Sequence, residues 1–164
     1  MPKIFRLVKN GKLIEGVYEG ETLNTPSMFC VADALDSLMW IKEIGGLTET
    51  IRRSNENFKC LQGWVDKTPW IENLVSDPRN RSNTSVCLKF SDERLISLIP
   101  DEKTRFVKEF VALLEAENAA FDIKAHRNAP PGLRIWCGAT INMDDIQKLL
   151  PWLEYCFHEI ISSY

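Results

Sequence analysis

The stretch Ala129-Pro-Pro-Gly-Leu-Arg-Ile-Trp-Cys-Gly-Ala-Thr140 decides how this chain is read. A rigid Pro-Pro-Gly turn leads into Leu133, Ile135 and Cys137, alternate apolar residues that predict a strand with one face in a core. Arg134 stands among them. Its planar fork of donors matches a carboxylate or phosphate bidentately, so an arginine fixed on a core strand reads as an anion clamp. The plainer alternative is an arginine that ends a strand in a surface ion pair. His126-Arg127 lies just upstream, and a turn over 128–131 can fold it back toward Arg134. Two cationic sites at one edge suit a substrate with two anionic groups.

Working outward, the apolar residues Phe106, Val107, Phe110, Leu113 and Leu114 predict a helix before this strand, and 120–124 predicts a strand between the two. A last helix is expected from about Asn142, with Asp144 and Asp145 in its first turn and Pro151 expected to kink it. Further upstream, Val86, Leu88 and Phe90 alternate with polar residues in a strand, 71–75 is a shorter strand, and 77–83 is the turn between them. Thr48 is expected to cap a helix ending near Lys67, with Ile51, Phe58, Leu61 and Val65 on one face. Val31, Leu35, Leu38 and Met39 predict a helix at about 27–44, opened by Pro26 and stopped by Gly45-Gly46. Residues 1–25 look like short extended pieces, at 4–8, 13–14 and 17–18, joined by turns that include Lys9-Asn-Gly-Lys12. This order predicts an α+β fold, a mixed or antiparallel sheet with helices packed on one face.

A chain of 164 residues with 45% apolar content fits one domain with a real core. The net charge of -3, without a basic block or acidic tail, excludes an electrostatic footprint for nucleic acid or membrane. No apolar signal segment opens the chain and no run of about 18 apolar residues occurs, so a cytoplasmic protein is expected. The five cysteines are odd in number, far apart and never in a Cys-x-x-Cys pair, as expected of reduced core thiols with no metal site. Phosphate-loop, zincin and nucleophile-elbow signatures are absent. His158 lies two residues from Cys156, so on a helix they face apart and cannot form a dyad. Trp136 and Trp152 read as packing residues rather than a ligand platform. Asn24-Thr25 precede the helix at Pro26, and read either as N-cap residues or as a phosphate contact at its free N–H groups, the cap being favoured.

Taken together, Pro2-Lys-Ile-Phe-Arg-Leu, Leu13-Ile-Glu-Gly, Asn24-Thr-Pro-Ser-Met, Ile44-Gly-Gly-Leu, Arg81-Ser-Asn-Thr-Ser-Val, the 129–140 stretch and Leu150-Pro-Trp-Leu make the chain similar to the C-terminal part of the phosphoserine aminotransferase family. These are pyridoxal-phosphate enzymes of fold type I, and the resemblance covers essentially the whole chain. It implies their small C-terminal domain, over 26–164, with 1–25 as the segment connecting it to a large cofactor-binding domain. It implies transfer of an amino group between glutamate and 3-phosphohydroxypyruvate in serine biosynthesis, by homodimers, with a related substrate in pyridoxine biosynthesis in some members. By this resemblance Arg134 grips the substrate carboxylate, His126 and Arg127 reach the substrate phosphate across the dimer interface, and Asn24 and Thr25 bind cofactor phosphate in the partner subunit. The spacing from the His-Arg pair to Arg134 varies within the family. The lysine that bonds the cofactor belongs to the large domain and would lie before Met1, so no catalytic residue is assigned here and the chain alone is expected to be silent. The alternatives are the small domain of another fold type I aminotransferase and a binding or dimerisation module that has lost catalysis.

Overall fold

The computed structural model describes residues 6–22 and 24–164, and the chain divides into two compact units, Met1–Ile44 and Gly45–Tyr164. The expected extended piece at Ile4-Phe5, like Leu23, lies outside the described residues.

In the first unit, β1 (Val8–Lys9) and β2 (Lys12–Leu13) pair antiparallel, Val8 opposite Leu13. Asn10 and Gly11 between them have φ of 51° and 74°, the left-handed pair that closes a two-residue hairpin with the twist of its strands. The expected extension at Val17-Tyr18 is not formed, and Glu15–Tyr18 is a 3₁₀ turn instead. Helix α1 (Met28–Glu43) begins later than Pro26. Ser27 is its N-cap, accepting from the Cys30 amide at 3.4 Å, so neither Asn24 nor Thr25 caps the helix. No residue of α1 is buried, and Met28, Phe29, Val31, Leu35, Leu38 and Met39 are all exposed.

The second unit opens with α2 (Gly46–Val65), capped by Gly45 at φ 117° rather than by Thr48. A side chain is rarely tolerated at that angle, so Gly45 both ends one helix and starts the next. The buried face of α2 is Ser54, Asn57, Leu61 and Val65, and Ile51 is exposed. β3 (Ile71–Asn73), β4 (Ser85–Phe90) and β5 (Leu133–Trp136) form an antiparallel sheet in the order β3-β4-β5. Between β4 and β5 come a short helix that the sequence did not announce, α3 (Glu93–Ile96), and α4 (Pro100–Ala116). Asn118 ends α4 in a left-handed conformation (φ 53°), with Ala119 N–H bonded to Leu114 O and Asn118 N–H to Glu115 O, a Schellman closure.

The expected strand at 120–124 reduces to one bridge, Lys124 opposite Leu133, because Asp122 (φ 53°) breaks the extension. Helix α5 (Met143–Ile161) follows, with Pro151 inside it. Asn142 donates its N–H to Asp145 Oδ2 at 3.0 Å at the start of this helix. The core lies on one side of the sheet: Ile71, Val86, Leu88, Leu133 and Ile135 are buried with Leu61, Phe106, Phe110, Leu114, Ile146, Leu153 and Phe157 from α2, α4 and α5. At one end Glu154 of α5 accepts from the indole N–H of Trp64 (2.8 Å) and of Trp70 (3.3 Å), and Trp70 stacks on Phe157 at 4.1 Å. This is the α+β layer arrangement expected, with helices on one face.

Candidate functional site

Strand alternation puts Glu72, Ser85, Cys87, Lys89, Arg134 and Trp136 on the opposite face of the sheet, and none of them is buried. Lys89 pairs with Glu72 across β3 and β4 at 3.0 Å. Arg134 sits opposite Cys87, with 36% of its side chain exposed, and its Nη2 is 3.2 Å from Asp122 Oδ2. The surface ion pair and the reachable guanidinium therefore coexist at one residue.

The backbone fixes where that guanidinium stands. Arg134 N–H donates to Ile123 O at 2.7 Å and Ala125 N–H to Gly132 O at 2.9 Å, a short antiparallel pairing that closes into the turn carrying His126 and Arg127. Gly132 packs so close to β4 that a Cβ there would lie 2.2 Å from Leu88 O. The turn is tied by Ala129 N–H to His126 O (2.8 Å), and His126 Nδ1 accepts from the Asn128 N–H (3.2 Å), which leaves Nε2 as the outward nitrogen. Arg127 is exposed and has no hydrogen bond or ion pair among the described residues. The two guanidinium groups and the imidazole thus belong to one hairpin, Arg134 on an arm and the other two in the turn.

Two supports of this hairpin were missed by sequence reasoning. Asp122 read as part of a strand, and is instead the counter-ion of Arg134. Asn57, almost fully buried, donates its side-chain amide toward the carbonyls of Cys137 (3.3 Å), Gly138 (3.2 Å) and Ile141 (3.1 Å), holding the segment that leaves β5. A polar residue between Ser54 and Leu61 at helical spacing was its only sequence signal. Arg53 of the same helix donates to Asn142 Oδ1. The motif Arg81-Ser-Asn-Thr-Ser-Val is structural in the same sense: Arg81 donates to Val75 O (2.7 Å) and Ser76 O (2.8 Å), Asn83 to Asn55 (2.8 Å), and Thr84 O accepts from Cys137 N–H (2.6 Å).

Trp136 is half exposed rather than in the core, its indole N–H on Thr140 Oγ1 (2.8 Å) and its ring over Gly138. Trp152 is also partly exposed, edge-on to Tyr155. His158 is exposed, 3.7 Å from Glu154, while Cys156 is buried, so they do face apart. Burial pushes the Cys137 thiol up to about 12 and that of Cys156 up to about 11, which removes both as nucleophiles at neutral pH. Among the described residues no group of His, Cys, Asp and Glu could hold a metal ion, and no helix is long and apolar enough to cross a membrane.

No family model matches the sequence. Phosphoserine aminotransferases of Methanosarcina mazei and Methanosarcina barkeri are each 44% identical over 159 and 160 residues, 96% of this chain and 40% of theirs. The chain corresponds to the C-terminal part of phosphoserine aminotransferases. It spans about 40% of the length of these relatives. Among solved structures, phosphoserine aminotransferase from Bacillus circulans subsp. alkalophilus superposes with a TM-score of 0.71 at 22% identity, over 87% of this chain and 36% of that one. A phosphoserine aminotransferase from Trichomonas vaginalis, described as bound to pyridoxal phosphate, gives 0.68 at 22%, over 84% and 36%. These two likenesses establish the fold, that of the fold type I aminotransferases.

Proposed function

We propose that the chain is the substrate-gripping small domain of a cytoplasmic phosphoserine aminotransferase that moves an amino group between glutamate and 3-phosphohydroxypyruvate. One observation carries the reading: Arg134 stands reachable on the face of the sheet away from the core, in the same hairpin whose turn holds the outward His126 and Arg127. Arg134 takes the carboxylate that both substrates share, and its fixed arm holds them in one orientation for the two halves of the reaction. His126 Nε2 and Arg127 take the phosphate, in a homodimer across the interface.

Asn24 and Thr25 are exposed and the helix cap belongs to Ser27, so their polar groups are available for the phosphate of the cofactor in the partner subunit. When bound, pyridoxal phosphate accepts the amino group from glutamate and returns it to the keto acid. The lysine that holds it comes from a large domain outside this sequence, to which residues 1–25 connect the domain at 26–164. Accordingly, this chain mixed with pyridoxal phosphate and reduced with borohydride should yield no single stoichiometrically labelled lysine. One specifically labelled site would contradict that assignment.

The reading is tested at Arg134 in the complete enzyme. Arg134→Lys keeps the charge and loses the fork, so both half-reactions should lose about 1.5–3 kcal/mol, tenfold or more in kcat/KM. An unchanged variant would remove the carboxylate clamp. An aminotransferase for a substrate without phosphate is the second reading, and the outward His126-Arg127 pair speaks against it.

A further inference from the structure

The carboxylate of Asp122 occupies, on Arg134, the kind of position that the proposed substrate carboxylate would take. We propose that Asp122 is a displaceable internal competitor, a positioning residue that holds the guanidinium in place between turnovers and must be expelled by each incoming carboxylate. The inference rests on the reading of Arg134 as the carboxylate clamp.

Three features make the contact a latch rather than a permanent bridge. It is a single Nη2–Oδ2 contact of 3.2 Å, longer than the 2.7–2.9 Å common for a charge-assisted bond and not the bidentate geometry an arginine prefers. Asp122 is exposed over 89% of its side chain, so water competes at its carboxylate and the released form is well solvated. The rest of the guanidinium fork stays open for a bidentate ligand, because no other bond from the Arg134 side chain is found among the described residues.

The backbone places the latch independently of any ligand. Asp122 adopts φ 53°, an uncommon angle for a residue with a side chain, directly before Ile123, whose carbonyl receives the Arg134 N–H at 2.7 Å. The two side chains are therefore set face to face by the hairpin that positions the clamp. Aspartate and asparagine both tolerate the left-handed region, so Asp122→Asn removes the charge without disturbing the turn.

A competitor on the clamp is expelled by glutamate and by the keto acid alike. In the complete enzyme, loaded with its cofactor, Asp122→Asn should lower KM for both substrates by the same factor, about two- to fivefold for an exposed pair, with kcat not raised. Glutarate, which has neither amino nor keto group, should bind tighter by that factor in calorimetry. In an Arg134→Gln background, Asp122→Asn should change neither quantity. The thermal midpoint of Asp122→Asn should stay at the wild-type value. Unchanged or raised KM in Asp122→Asn, with Arg134→Lys still impaired, would overturn the latch alone and leave the clamp standing. Intact half-reactions in Arg134→Lys would overturn both.

Discussion

Asn57 shows how one residue can carry a site it does not touch. Its amide has two N–H donors shared among three carbonyls of the segment that joins β5 to α5, those of Cys137 and Gly138 in a buried setting and that of Ile141 partly buried. Asn57→Leu keeps the branched shape but leaves those carbonyls without a donor, so it should cost about 2–3 kcal/mol of stability in denaturant unfolding. The cysteines give a second residue-scale expectation. Cys137 is lifted by burial from 9.0 to about 12, so the native state holds its proton where the unfolded chain has lost it. That contribution to stability is complete below pH 9 and disappears as pH rises from 9 to 12. At pH 8 a thiol reagent should therefore label exposed Cys30 at once, and Cys137 and Cys156 only after denaturant is added. Equal labelling rates in the native chain would contradict the buried placement.

Strand alternation made β4 and β5 legible and helical spacing α4, because each turns one apolar face to the core, while α5 was legible from Asp144 and Asp145 in its first turn. What was not legible came from residues whose conformation is set by tertiary partners. The buried face of α2 runs through Asn57 instead of Ile51, since loop carbonyls distant in sequence satisfy the amide. Thr48 failed as a cap because Gly45 already turns the chain. The pairing at 120–124 is cut short by Asp122, whose left-handed angle nothing in the local pattern signals. Within the hairpin, Gly132 is where a side chain has no room. Gly132→Ala should push β5 away from Leu88 O, cost about 1–3 kcal/mol, and raise KM for both substrates by displacing Arg134. Wild-type stability and kinetics in that variant would show that the hairpin is not held by this close approach.

At the scale of the whole molecule, the two compact units differ in what they bury. Among the described residues, the whole hydrophobic core belongs to Gly45–Tyr164, while α1 exposes Met28, Phe29, Val31, Leu35, Leu38 and Met39. Residues 45–164 alone should unfold cooperatively and bind less of an apolar dye such as ANS than the 164-residue chain does. Undiminished dye binding would place the apolar surface elsewhere. The likeness to phosphoserine aminotransferases was legible at this scale from motifs spread along the whole chain, whereas composition and charge only excluded classes. The claim that ties the scales together is that one hairpin reads two anions separately. Single-turnover measurement of each half-reaction in Arg127→Ala of the complete enzyme tests it most directly. The account predicts a large loss with 3-phosphohydroxypyruvate and a near-normal rate with glutamate. Equal losses in both halves would contradict it.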